Sequence, residues 1–303
     1  MHSLLARQDA RCDVSLTVRS GTIPDVVDQQ LFCGIELAGR IERAEAQLIT
    51  AATEASRGRG VEGLVLPIAG GFACFVEPGS PMNKVVGLGF SGVPDESVLG
   101  EVERALAARG SATQVELSNL ADPEIATLLT GRGYRLAGFE NVLGRPVVGD
   151  EPADLPAGVE VHRAQDLTAW VDVVVDGFAH PDAEGVPSHE EFPRDVVERA
   201  ERDFEKAGAT PYIALCEGAV AGGGSVRFTD GVAQLTGAAT APAYRRRGVQ
   251  AALLRARLAD AAAQGCDLAV VTTAPGSMSQ HNVQRRGFGL LYTRAILVKA
   301  PSV

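Results

Sequence analysis

The amino-acid sequence predicts an α/β protein, an α+β mixed sheet built as two tandem domains of like layout. Three observations predict it. At 303 residues the chain exceeds the roughly 100–150 residues of the commonest single domain. The stretch "GRPVVGDEPADLPAG", Gly144 to Gly158, is rich in proline, glycine and acid and has no periodicity, which is the composition of a linker. Strand-like and helix-like segments follow one another in a similar order on either side of it. The expected boundaries are a disordered N-terminal extension over 1–20, a first domain over 21–145, a linker over 146–157 and a second domain over 158–303.

In the second half, "GVEVHRA" reads as a strand, and "DLTAWVDVVVDGF" and "HEEFPRDVVERAERDFEKAG" read as helices because their apolar residues recur at helical spacing. A meander follows: "PYIALC", a turn at Glu217-Gly218, "AVAGGGSVRF", an Asp230-Gly231 hairpin signal and "VAQLTGAAT". A helix is expected from Val249 to Gln264, with Val249, Ala252, Leu253, Ala256, Ala259 and Ala263 on its buried stripe and Gly265 ending it. The apolar run "LAVV" suggests a buried parallel strand, and a short helix over "MSQHNVQRRG" and a strand "LLYTRAILV" close the chain.

The first half repeats the layout. Helices are expected across Gln29–Arg57, then strands "LVLPI", "FACFV" and "KVVGLGF", a helix "SVLGEVERALAARG", a strand "TQVEL", a short helix before "GRGY" and a strand "FENVLG". Shifting the chain by 154 positions pairs Arg132 with Arg286, Gly133 with Gly287, Tyr134 with Phe288, Leu136 with Leu290 and Leu143 with Leu297. A divergent internal duplication accounts for this.

Composition removes several classes of function. With 46% hydrophobic and 22% charged residues and a net charge of −10, the chain reads as soluble and globular. Acid exceeds base in both halves, so neither carries the basic footprint of a nucleic-acid binder. Cys12, Cys33, Cys74, Cys216 and Cys266 are odd in number and never form C-x-x-C, which argues for free thiols and against a zinc site. The first twenty residues lack the apolar core of a secretory signal, and "LVLPIAGGFACFV" is too short to cross a bilayer. A cytoplasmic protein without membrane or metal partners is expected.

One segment breaks a local rule. Arg245, Arg246 and Arg247 stand at the start of the helix from Val249, where the helix dipole disfavours cations. The violation resolves if a polyanion occupies the site: backbone N–H groups of the Arg247–Ala251 turn donate to phosphate oxygens, and guanidinium groups neutralise the remaining charge. Gly248, lacking Cβ, lets those oxygens reach the main chain. "AGGG" at Ala221–Gly224 has no following helix or G-K-[S/T], so it reads as a bulged strand.

Arg245-Arg246-Arg247-Gly248-Val249-Gln250 resembles the acetyl-CoA pyrophosphate loop, [Q/R]-x-x-G-x-[G/A], of the GNAT superfamily of N-acetyltransferases, with Gln250 departing at the sixth position. The strand ending "AAT" before the loop and Asn282, Arg285, Gly287 and Phe288 of "N-x-x-R-x-G-F" after it extend the resemblance over Val159 to Lys299. It implies two tandem GNAT-like acyl-CoA N-acyltransferase domains, the first a degenerate copy. Acetyl-CoA would serve as co-substrate: Ala238, Ala239 and Thr240 would line the pantetheine and thioester, and Arg245, Arg246, Arg247, Gly248, Val249, Gln250 and Ala251 the pyrophosphate, with Asn282 a further coenzyme-binding residue. An amine acceptor, expected to be a small molecule, attacks the thioester directly. Protein N-terminal or lysine acetylation, and coenzyme binding without turnover, are the alternatives; the oligomer is a monomer or homodimer.

Catalytic residues stay unassigned. The tyrosine acid of many relatives is replaced by Val283, and the glutamate base by Gln234, which leaves water-relayed deprotonation or a base from the first domain. Ser279 and Tyr292 fall near the expected thioester but suit a helix cap and a packed aromatic. His281 is expected in solvent, Cys266 in the core, and His180 and His189 beside the acceptor wall. Asp95 and Glu96 replace the arginine loop in the first half and would repel a pyrophosphate.

Overall fold

The computed structural model describes residues 31–147, 149, 156–180 and 192–301; the 1–20 extension, most of the expected linker, Cys12 and His189 lie outside them. The described residues from Leu31 onward form one compact unit.

In the first half, α1 (Ile35–Ser56) is a single helix, followed by β1 (Leu64–Ile68), β2 (Gly71–Phe75), β3 (Val85–Val86), α2 (Glu96–Ala107), β4 (Thr113–Ser118), α3 (Pro123–Gly131) and β5 (Arg135–Pro146). The second half gives β6 (Val159–Arg163), α4 (Leu167–Ala179), α5 (Arg194–Lys206), β7 (Thr210–Cys216), β8 (Ala219–Thr229), β9 (Val232–Thr240), α6 (Val249–Ala263), β10 (Leu268–Thr273), α7 (Met278–Gln284) and β11 (Gly289–Lys299). In the second half each hairpin turn falls where its Asp-Gly or Glu-Gly pair predicts it, with Glu217, Gly218, Asp230 and Gly231 all at positive φ.

The strands join in one sheet ordered β1-β2-β3-β4-β11-β5-β10-β9-β8-β7-β6. The two halves exchange their final strands. β11 lies between β4 and β5 of the first half, antiparallel to both, while β5 pairs with β10 of the second from Asn141↔Thr273 to Pro146↔Leu268. Among the described residues only β3–β4 and β9–β10 are parallel, one such pair in each half. The helix ends repeat as well. Gly133 and Tyr134 donate to Thr130 and Leu129 (3.1 Å each), and Gly287 and Phe288 donate to Gln284 and Val283 at 3.0 and 3.2 Å. These are the bonds of a Schellman turn, set 154 positions apart.

Three expectations need correction. "KVVGLGF" gives only the two-residue β3, because the chain turns at Gly87 and Gly89, both at positive φ. The helix expected from His189 starts at Arg194 in the described chain, after Pro193 at its N-cap. The buried face of α6 is Val249, Ala252, Leu253, Leu254, Arg257, Leu258 and Ala261, whereas Ala259 and Ala263 are exposed. An alanine-rich helix gives periodicity little to grip, and the face that is buried includes the charged Arg257.

The core of the second half gathers α6, α7 and the strands under them, including Leu253, Leu258, Ala233, Leu235, Val283 and Phe288. On the first half's side, α1 packs with β2 and β3 through Ala46, Ile49, Cys74 and Val86, and Ala200 of α5 joins the same cluster. Among the described residues no helix is long and apolar enough to cross a membrane, and no three metal-ligating side chains gather.

Candidate active site at the strand gap

The parallel pairing of β9 and β10 stops at Leu235↔Val271. Both strands run on, β9 to Thr240 alongside β8 and β10 to Thr273 alongside β5. A gap therefore opens between them with main chain along its walls. At its mouth β9 bulges: Thr236 pairs with Ser225 and Ala239 with Gly223, so Gly237 and Ala238 face Gly224 alone. Gly237 has φ +56°, and a Cβ there would stand 2.9 Å from Oε2 of Glu201 and from Oγ of Ser225. Glycine is required on both counts. Ala238 is exposed, and Ala239 and Thr240 are half-buried.

A single 3-10 turn, Pro242–Tyr244, carries the chain from β9 into the arginine loop. Arg246 (φ +61°) and Gly248 (φ +83°) are both left-handed, which bends the loop onto the start of α6. Gly248 is the N-cap, no side chain caps the helix, and the first helical bond runs from Ala252 N–H to the Gly248 carbonyl at 3.0 Å. The amides of Val249, Gln250 and Ala251 thus precede the helix's own ladder and carry its positive dipole end. Arg246 is exposed; Arg245 donates to the carbonyl of His180 at the end of α4. Arg247 pairs with Glu217 at 2.9 Å and lies over the Tyr244 ring. The loop is thereby tied to α4 and to the β7–β8 turn.

The expected reason for Gly248 changes in part. The direction of its missing Cβ is taken by Pro156, whose Cγ would be 2.5 Å away, so the glycine answers its left-handed φ and the close passage of Pro156. The departure at Gln250 also has a physical account: its Oε1 accepts from Nδ2 of Asn282 at 2.6 Å, fastening the first turn of α6 to α7.

Other expectations sort by burial. Val283 is in the core, where no acid could face the gap. Ser277, not Ser279, caps α7. Tyr292 is buried and donates to Glu42 at 2.7 Å. His281 is exposed, and Cys266 is buried. In the first half Asp95 caps α2 in position only, Glu96 pairs with Arg132 at 3.3 Å, and both acids are exposed.

Sequence reading missed three charged groups. Gln234 is buried on β9 and donates to Glu45 of α1 at 3.2 Å, so a carboxylate from the first half reaches the strand position where a glutamate base was expected. Glu45 belongs to a wider network beneath α1: Lys84 bonds Glu116 at 2.6 Å, and Arg294 bonds Glu42 at 2.8 Å with Glu116 and Glu140 beyond. Burial, with Glu116 nearby, pushes the Glu140 carboxyl up to about 7. Arg257 on α6 is buried, donates to the carbonyls of Ser225 at 3.0 Å and Leu253 at 3.1 Å, and is pushed down to about 10 by desolvation. Glu201 on α5 is buried, and burial alone pushes it up to about 7. Contacts between distant segments, rather than any local pattern, place these groups.

α5 itself is clamped to the first half. Arg59 bonds the fully buried Asp203 at 3.0 Å, and Arg199 bonds Glu77 at 3.0 Å.

Residues 178–289 match the model of the acetyltransferase (GNAT) family. No curated protein matches the chain. Among solved structures it is similar to a GCN5-related N-acetyltransferase from Kribbella flavida, with 19% identity, a TM-score of 0.63 and coverage of 88% of this chain and 96% of that one. It is also similar to a GCN5-related N-acetyltransferase from Sphaerobacter thermophilus (16% identity, TM-score 0.53, 86% and 92% covered). A tandem GNAT protein from the clavulanic acid biosynthesis pathway, described as without AcCoA, matches at 14% identity and a TM-score of 0.56, covering 77% and 79%. At these identities the likeness is one of fold.

Proposed function

We propose, from the premise that residues 178–289 form a GNAT domain, that the protein is an acetyl-CoA-dependent N-acetyltransferase whose acceptor is the amine of a small molecule. The observation that carries this reading is a coincidence of two features. The strand gap beyond Leu235 and Val271 leads directly to a helix start that is uncapped and flanked by Arg245, Arg246 and Arg247. A linear ligand with an acyl thioester at one end and a diphosphate at the other fits both.

When bound, acetyl-CoA supplies the activated acetyl thioester. The amides of Val249, Gln250 and Ala251 and the three guanidinium groups hold the diphosphate. Ala239 and Thr240 offer strand main chain to the pantetheine, and Asn282 keeps Gln250 and the first turn of α6 in register. The Ala238 amide, which lies in the bulge, is the donor for the thioester carbonyl, the place where negative charge develops during acyl transfer. The net charge of −10 favours a cationic acceptor.

We read the first half, 21–145, as a degenerate copy that binds no coenzyme, joined by 146–157 to the catalytic domain 158–303. The repeated helix ends and the one parallel strand pair in each half support the duplication. Asp95 and Glu96 at the start of α2 support the loss of the coenzyme site.

Thermal melting with acetyl-CoA tests the reading. At 100 times Kd one bound ligand stabilises by about 2.7 kcal/mol; Arg247→Glu should remove the shift and Asp95→Asn should leave it intact. No shift in the wild-type protein sinks the reading. Acetylation of peptides without turnover of small amines would move the acceptor to protein N-termini or lysines.

A further inference from the structure

Two buried polar groups without partners converge on the bulge of β9. Glu201 is 5% exposed, its Oε2 has no hydrogen-bond partner among the described residues, and neither does the indole N–H of Trp170 on α4. Glu201 faces Gly237, and the Trp170 indole lies against Gly223, which pairs with Ala239. Gly237 stands two residues past the last β9–β10 pair. The α4–α5 side of the gap mouth therefore presents an acceptor-only carboxylate and an N–H donor, with the Ser225 hydroxyl also against Gly237 and already bonded to the Thr236 carbonyl at 3.1 Å. No charged group of α1, α4, β8 or β9 bears on Glu201; burial alone acts on it. The buried cation nearest this part of the sheet, Arg257, is held by the Ser225 and Leu253 carbonyls. A buried carboxylate without a counter-ion is costly, and an incoming ammonium would supply the missing charge.

We propose that Glu201 is the proton acceptor for the incoming acceptor amine, which enters as a primary ammonium ion; this deepens the acetyltransferase reading and rests on it. Glu201 takes one proton from the ammonium, freeing its lone pair. The nitrogen attacks the thioester carbonyl, the C–N bond forms and the C–S bond breaks. The second proton lost by nitrogen goes to the departing thiolate, and Glu201 returns its own proton to solvent. Glu45 is less suited, since Gln234 already donates to it and its charge is shared with the cations Lys84, Arg227 and Arg294, on each of which it acts.

The experiment compares wild type with Glu201→Gln and Glu201→Asp, measuring thiol release from acetyl-CoA with spermidine, benzylamine and hydroxylamine as probes. Hydroxylamine is unprotonated at neutral pH and needs no base. For the first two amines Glu201→Gln should lower kcat by about 10²–10³-fold and remove the acidic limb near pH 7, while its acetyl-CoA melting shift stays intact. With hydroxylamine the loss should be under about tenfold. Glu201→Asp should keep the acidic limb at reduced kcat. An unchanged pH profile in Glu201→Gln, or equal losses with all three probes, overturns the assignment. Wild type that binds acetyl-CoA but acylates none of them also overturns it and leaves coenzyme binding standing, whereas wild type with no melting shift fails the acetyltransferase reading itself.

Discussion

Replacing Glu201 by glutamine should change how stability depends on pH, whatever the acceptor is. Burial raises the Glu201 carboxyl from 4.5 to about 7 in the folded protein, because desolvation penalises the charged form. Between those values the native state holds a proton that the unfolded state has lost, so stability falls as pH rises through that window and the full deficit is present above it. A displacement of about 2.5 units at roughly 1.36 kcal/mol each amounts to about 3 kcal/mol. Glutamine keeps the shape and removes the ionisation. Its own unpaired amide adds a penalty that does not vary with pH and cancels from the comparison. Urea unfolding of both proteins at half-unit steps from pH 4 to 8.5 should show the variant gaining on wild type by about 3 kcal/mol across the window. Parallel curves would refute the claim that Glu201 is buried without a counter-charge. A group that lowers stability at working pH is the kind retained for activity.

The remaining predictions concern the same gap and its supports. Gly237→Ala forces an L residue into φ +56° and pushes a methyl toward Glu201; urea denaturation should show a loss of about 1–3 kcal/mol, and the acetyl-CoA melting shift should shrink. Arg257→Met leaves the Ser225 carbonyl short of its donor beneath the bulge and should cost about 1–3 kcal/mol by the same assay. A fragment of residues 158–303 lacks β5, the antiparallel partner of β10; its circular dichroism should show no cooperative melt, and co-expression with residues 1–157 should restore one.

Much of the fold could be read from pattern, and the reasons differ by element. Asp230-Gly231 and Glu217-Gly218 dictate hairpins through backbone conformation alone, so their strands were placed without knowing any contact. Gly133 and Gly287 end helices by the same local logic. The exchange of β5 and β11 has no such signature: either strand could have paired within its own half, and register across the sheet decides otherwise. At the site, the arginine loop was legible because it breaks a rule of helix electrostatics. Glu45 and Glu201 were not, since each looks like one of many acids on an amphipathic helix, and only packing shows that one meets Gln234 and the other Gly237. The glycines at Gly222–Gly224 read as a bulged strand, but the neighbours that exclude a side chain there, Trp170 of α4 and Val249 and Arg257 of α6, come from two helices distant in sequence from each other.

Strand exchange also bears on why a first half without the arginine loop would persist. β10 forms one wall of the gap, and along Leu268–Thr273 its outer edge is completed by β5, so the wall needs the first half to exist. α5 carries Glu201, and its far side is fixed by Arg59 and Glu77 through Asp203 and Arg199. α1 sends Glu45 to Gln234 on β9, at the base of the other wall. Each wall of the gap, and the helix that faces its mouth, is thus held by a residue or strand from the first half of the chain. A first half without an arginine loop could then be deleted only at the expense of the gap it borders. Selection would act on its strand edge, its ion pairs and Glu45 rather than on the start of α2, where Asp95 and Glu96 lie exposed.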